Sequence, residues 1–411
     1  MNRLSLSLTL SAFCLAAGSA AFGQNLQGSA GTTRHPLDAS QVRNFIKGSI
    51  SARHPSSSTL SASTRAAVQG APVQPIIIRS VPFFNGSLTF QNQTFPYTML
   101  GHRPQAGGTT RIETSYLAIS FFFDEFVDNN GNNIFIDATT ITKNLLNGPD
   151  FERFPYTTGH TQFSDAVQRA EFFKVLKDPH GNDSDDAWHT LLERPRQFTP
   201  ITVEVPIGSS QVFSDGTNIF AVVDVNFLNS QLNTLVQTED LHVDEIPIFV
   251  THNTVYADFV SGTCCVGGFH TAFETGQRGN TVFVQLLTFA TWLDAAVAND
   301  LSGDSTLFAD VFALSHELTE VYNDPFGGNV VPSWQFPGFP PGNCSNVLET
   351  GDPIENLLNA SFPVMIDGFL YHPQTEALLQ WFSRESPSSA FDGDYSYPGN
   401  NLTSPSQACP Q

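Results

Sequence analysis

Positive charge is scarce in this chain. Over 411 residues, 18 Lys and Arg stand against 39 Asp and Glu, giving a formal net charge of −21 with only 14% charged residues. A surface of that sign repels nucleic acid and anionic lipid, which argues against both as partners. Long apolar runs are also lacking: beyond the first 23 residues no segment reaches the roughly 18 continuous apolar residues of a membrane-spanning helix. No Gly-x-Ser-x-Gly elbow and no Gly-rich Walker loop occurs, so a serine-hydrolase or phosphate-loop reading has no foothold. What the chain does have is 40% hydrophobic residues and 36 Phe, the composition of a packed globular protein. Its length allows a large core in one domain or two.

Residues 1–23 read as a secretory signal. Arg3 supplies the positive start, Leu4 to Ala17 the apolar run, and Ala21-Phe22-Gly23 a small-x-small cleavage site. Export to the extracellular space or periplasm is expected, with no membrane association after cleavage. Cys14 leaves with the signal, and Cys264, Cys265, Cys344 and Cys409 remain. An even count in an oxidising compartment predicts up to two disulfides. Adjacent cysteines rarely bridge each other, so Cys264 and Cys265 are expected to reach toward Cys344 and Cys409. Residues 24–72 hold few large apolar side chains and read as a disordered leader, with one loose helical patch over Asp38–Ile50.

The folded body is expected from Val73, with a part over 73–240 and a part over 241–411 that form one domain or two. Short β-type runs at 76–78, 87–90, 95–100 and 109–123 are punctuated by Gly and Asn-Gly. Asp128 to Asn133 resembles a calcium loop in composition, but its Gly and closing acid are misplaced, and a hairpin turn accounts for it better. Asp165–Leu176 reads as an amphipathic helix, and 226–235 as another. Strand character recurs at 201–206, 219–225, 246–250 and 254–260. Strands and helices alternate without a regular βαβ rhythm, which predicts an α+β fold with mixed or antiparallel sheets.

The chemistry concentrates in Ser315-His316-Glu317-Leu318-Thr319-Glu320. His316 and Glu320, four apart on a helix, share one face at metal-chelating distance. Glu317 stands where zinc hydrolases keep the base that activates water. The usual second His is replaced by Glu320. At about 100° per residue, Leu307, Val311, Leu314, Leu318 and Val321 fall opposite His316, while Asn323 shares its side. Phe308, Ala309, Phe312 and Ala313 make the preceding turns apolar on the His316 side too, so the helix is expected to be buried. Gly303-Asp304-Ser305 is expected to cap its start, and Asp324-Pro325 with Gly327-Gly328 to end it. A buried His and two carboxylates need a shared compensating partner, for which a divalent cation is the simplest choice. Glu349, Asp352, Asp324 and His270 are the candidates for a third ligand, each with a cap, turn or salt bridge as its alternative role.

The block His316-Glu317-Leu318-Thr319-Glu320 with Asn323-Asp324-Pro325 resembles that of secreted Exordium-like (phosphate-induced) proteins and exported microbial relatives. The likeness extends to an upstream Cys/Gly/His element, Cys264 to His270, and to Trp334 with Glu349–Asp352 downstream. It covers about residues 250–355 and departs from the pattern in lacking a Cys after Asp352. The resemblance implies a zincin-like core around the motif helix. The expected function is therefore a secreted zinc-dependent, peptidase-like hydrolase acting on a polypeptide or other extracellular substrate. His316 and Glu320 would be ligands and Glu317 the general base. An anionic ligand in place of the second His should weaken zinc's Lewis acidity. The alternative is a non-catalytic extracellular protein whose cluster is a structural cation site, with calcium as the hard-ion choice, or a hydrogen-bond network.

Overall fold

The computed structural model describes residues 37–38, 59–70, 76–128, 130–176, 187–214 and 218–409. The expected signal at 1–23 lies outside the described residues, as does the expected helical patch beyond Asp38. The body is α+β and, among the described residues, is built on one mixed nine-stranded sheet. Its spine is β1, Thr109–Val127. Period-two alternation sends Ile112, Tyr116 and Ala118 to one face and Leu117, Ile119, Phe121 and Phe123 to the other. A strand apolar on both faces must be covered on both, and this one is.

Parallel to β1 runs β2, Glu245–His252. A hairpin of β3, Gly268–Arg278, and β4, Thr281–Trp292, completes the side of the sheet that matters here. In it β4 lies parallel to β2, and β3 pairs antiparallel outside β4. The two-residue turn Gly279-Asn280 joins them, with Gly279 at φ 59°, a conformation that glycine adopts without a Cβ penalty. Because the central sheet takes β1 from before residue 240 and the other three strands from after it, the two parts share one core.

One face of the sheet carries the helices α1, Phe163–Glu171, and α2, Phe312–Asn323, packed against each other. Ser164 Oγ and Thr319 Oγ1 meet at 2.9 Å, and Gln168 donates to the Tyr322 carbonyl. The opposite face carries the strands 210–214, 219–224, 254–258 and 263–266 and the helix Val225–Thr238. That helix buries Val225, Leu228, Leu232 and Leu235 and is capped by Asp224, which accepts from Asn226 N. Asn133–Ile136 folds back on β1, so Asp128–Asn133 is a hairpin turn, its Asp128 carboxylate accepting from Asn130 N and Asn132 N. Among the described residues no helix is long and apolar enough to cross a membrane.

Four expectations need correction. First, α1 is shorter than expected and buried on every side rather than amphipathic. Its polar residues are held internally: Asp165 meets His189 Nδ1 at 2.7 Å, and Arg169 donates to the carbonyls of Thr158 and Trp188. Second, Gly303 does not start the motif helix. It ends a separate helix, Ala295–Ser302, at φ 82°, and the motif helix α2 begins only at Phe312. Third, residues 62–68 of the expected leader form a helix capped by Ser61, with Val68 in the core. Fourth, the cysteines pair as Cys264–Cys265 and Cys344–Cys409. Pairing of Gln335 with Cys344, and of Trp334 with Ala408, brings the second pair to a Cα separation of 5.9 Å. Cys264 instead sits in a separate apolar cluster with Val297 and Leu301.

Asp150 is buried beneath the helix layer, and neither carboxylate oxygen accepts a side-chain hydrogen bond. Burial, and then Asp310, push its pKa up to about 8 from 3.8. A raised carboxyl pKa contributes full stability below 3.8, and that contribution is lost progressively as pH rises toward about 8. Asp150→Asn removes this dependence. Its melting temperature should therefore exceed wild type by a margin that widens from pH 5 to pH 8. A constant or shrinking margin in thermal melts across that range would contradict the assignment.

Candidate metal centre

The helix α2 exists because Leu314, Leu318 and Val321 recur at helical spacing and enter the core over the β3–β4 hairpin. That placement drives the opposite side, His316, Glu317 and Glu320, into a second buried region between β3 and the segment 348–355. His270 reaches the same region from β3, where it pairs with Thr288 and faces the helix layer. A turn that follows α2 supplies the rest of the wall. The Asp324 carboxylate accepts from Gly328 N at 2.8 Å and Asn329 N at 2.9 Å. Leu348 N then donates to the Asn329 carbonyl, returning the chain to the helix.

Two glycines make the approach possible. A Cβ on Gly351 would lie 2.2 Å from His316 Nδ1, and one on Gly268 would lie 2.7 Å from Glu317 Cγ. Gly351 also donates its N–H to Glu320 Oε1 at 3.1 Å. Gln374 locks the assembly. Its Nε2 donates to the Gly351 carbonyl at 2.6 Å, which orients the amide so that Oε1 accepts from His316 Nδ1 at 2.9 Å. Nδ1 of His316 therefore carries a proton, and Nε2 faces Glu320 and Asp352. An outer carbonyl holding one ring nitrogen so that the other can ligate is the usual support of a metal-binding His.

The distances carry the same message. Nε2 of His316 lies 3.2 Å from Glu320 Oε1 and 3.9 Å from Asp352 Oδ1. Nδ1 of His270 lies 3.3 Å from Glu317 Oε2 and 3.5 Å from Glu320 Oε2. Elsewhere in this protein the buried His189–Asp165 pair and the half-buried His372–Asp310 pair close to 2.7 Å. The site pairs are longer than these, although His316–Glu320 and His270–Glu317 remain within hydrogen-bonding reach. Ligand atoms about 2.1 Å from a tetrahedral zinc are separated by about 3.4 Å, and most of the site distances fall near that value.

Charge sets the requirement. Glu317, Glu320, Glu349, Asp352 and Glu376 are all buried, none more than 6% exposed, with two imidazoles among them. Burial would lower the His316 pKa, but Glu320, Glu317 and Glu376 outweigh it and hold it well above its ordinary value. His270 is likewise raised, by Glu317, Glu320 and Glu349 against burial. Burial would raise Glu320, yet His316 and His270 hold it well below the carboxylate range. Burial, and then Glu320, push Glu349 well up, and burial does the same to Glu376. The polypeptide alone thus balances its charge with extra protons, which a cation at the same place would displace.

Of the residues expected from sequence, His316, Glu320 and Asp352 converge as one set with ligand atoms within 4.8 Å, and His270, Glu317 and Glu320 as another. Glu349 lies among them electrostatically, and neither of its oxygens accepts a hydrogen bond. Asp324 is also close enough to feel Glu320 and His270, and burial raises it to about 6. Its oxygens, however, are taken by the Gly328 and Asn329 amides, which makes it a turn-former. Glu376 and Gln374 were missed. The only signal for them is a polar run, Gln374-Thr375-Glu376, leading directly into Ala377-Leu378-Leu379.

Gly268→Ala should destabilise the protein by about 1–3 kcal/mol, because its methyl group overlaps Glu317 and the Phe289 carbonyl. The neighbouring Gly267→Ala, whose nearest side-chain contact would be 3.7 Å away, should be nearly neutral. Urea denaturation of the two variants checks this, and equal losses would contradict the packing described. Compared with known proteins, the chain matches no family model, no curated protein and no solved structure.

Proposed function

We propose that this protein is a metal-dependent hydrolase of zincin-like character, with a zinc ion held by His316 Nε2, Glu320 and Asp352. The observation that carries the reading is the Gln374–His316 hydrogen bond, which directs the other ring nitrogen toward two carboxylates, 3.2 Å from Glu320 and 3.9 Å from Asp352. The donor set fits zinc better than calcium, since calcium takes oxygen ligands and this set includes an imidazole nitrogen. Zinc would supply Lewis acidity for attack of water on a carbonyl, tempered here by two anionic ligands.

The residues around it have separable tasks. Glu317 neighbours the ligand set on α2 and is the group to take the proton from the attacking water. His270 stands 3.3 Å from the same carboxylate and positions it. Burial excludes bulk water and strengthens every charge interaction within the site. The polypeptide-substrate reading draws on β3, whose outer edge lies beside the site. At that edge the Ala272 carbonyl accepts a hydrogen bond from Thr59 N, the kind of contact by which an extended substrate segment would add to the sheet. The resemblance to exported Exordium-like proteins and the two disulfides accord with an extracellular setting.

The depth of burial favours a second reading, a structural cation without catalysis. Metal analysis with a general protein substrate separates the two. After dialysis, wild type and Glu317→Gln should each retain about one zinc. The Gln variant should lose at least about a hundredfold in activity, the usual effect of a lost general base. Glu320→Ala should lose the metal as well. Zinc retained in all three proteins, with no hydrolysis in any, would overturn catalysis. Zinc absent from wild type would overturn the metal centre.

A further inference from the structure

The two oxygens of Glu320 serve different neighbours. Oε1 lies 3.2 Å from His316 Nε2 and accepts from Gly351 N, whereas Oε2 lies 3.5 Å from His270 Nδ1. His270 Nδ1 is also 3.3 Å from Glu317 Oε2. A triangle of His316, Glu320 and Asp352 therefore shares one residue with a second triangle of His270, Glu317 and Glu320. We infer that the second triangle is a cation site in its own right, so that the centre takes two divalent ions bridged by Glu320. This extends the single-ion reading above and rests on it.

Three observations carry the inference. First, the Nδ1 of His270 is nearly equidistant from two carboxylate oxygens of different residues, hydrogen-bonded to Glu317 Oε2 at 3.3 Å and 3.5 Å from Glu320 Oε2, and both separations match those between ligands of one tetrahedral ion. Second, Glu349 is 3% exposed, neither of its oxygens has a hydrogen-bond partner, and its nearest charges include Glu320 and His270. A buried carboxylate in that condition is a ready further donor to the second position. Third, with all five buried carboxylates named above ionised, one divalent ion neutralises fewer than half of their charge, and a second brings the site close to neutrality without protons on Glu349 and Glu376. Two-ion centres with ions about 3.5–4 Å apart are a recognised hydrolytic arrangement, and a shared carboxylate spans such a distance.

A consequence follows for Glu317. At the second position it is a ligand, and a carboxylate holding an ion no longer takes a proton. The second position shares a ligand with the first and lies beside its charge, so it fills at higher zinc concentration. Zinc should therefore support hydrolysis at low concentration and suppress it as the second position fills.

The test is a calorimetric titration of the full chain, stripped with chelator and titrated with zinc sulfate. His270→Ala and His316→Ala run in parallel, with circular dichroism as a check on folding. Wild type should bind about two zinc ions per chain in two steps, and His270→Ala should lose the weaker step only. His316→Ala should lose the tighter one. Wild type saturating at about one ion, or His270→Ala still binding two, overturns the second site and leaves the single-ion reading standing. Wild type binding none overturns both. The wild-type stoichiometry needs no variant, so an unfolded mutant does not remove the test.

Discussion

Burial of negative charge is the constraint on which the rest of this structure depends. Carboxylates from α2, from the segment 349–352 and from Glu376 converge in a region shielded from solvent, with His270 and His316 as their neighbours. Taking an unpaired carboxylate out of water costs several kcal/mol even after relaxation. Such an arrangement persists only with compensating positive charge. Protons on the two imidazoles and on Glu349 and Glu376 are the compensation the chain can supply by itself. A divalent ion among the two ligand triangles would supply more.

The fold makes the convergence rigid. Apolar residues on one side of α2 fix its rotation over the sheet, and α1 fixes its position through Ser164 and Gln168. The β3–β4 hairpin sets His270 one strand beyond, at a register that faces the helix. Backbone bonds, Leu348 to Asn329 and Ala377 to Thr350, hold the remaining wall. None of the groups that would meet a ligand sits on a loop without such support, which is what a preorganised site requires.

How much of this was legible in the sequence varied with the range of the signal. The pairing of His316 with Glu320 is a local helical spacing, and it was readable outright. The burial of α2 was also expected, though partly for a wrong reason. The apolar run from Leu307 looked helical, but Phe308 and Asp310 have positive φ and the chain turns there. Helical periodicity does not register such a turn. Asp352 and His270 were visible as members of acidic and Gly/His elements, but their assignment to different ligand triangles depends on strand register and a loop path. Gln374 and Glu376 carry no spacing signature at all, since hydrogen bonds from Thr375 to Ala360 and from Ala377 to Thr350 bring them in. The disulfides were misjudged for a similar reason. Cys344 meets Cys409 through the pairing of 330–335 with 344–347 and of Trp334 with Ala408, contacts between separate segments that composition cannot encode.

The central claim is that a cation belongs among these groups. The most direct measurement is anomalous diffraction at the zinc edge from crystals grown with zinc. A peak is expected about 2–2.5 Å from His316 Nε2, with Glu320 and Asp352 also in its coordination sphere. No peak at that position, with His316 still hydrogen-bonded to Gln374 and the carboxylates in the arrangement described, would contradict it.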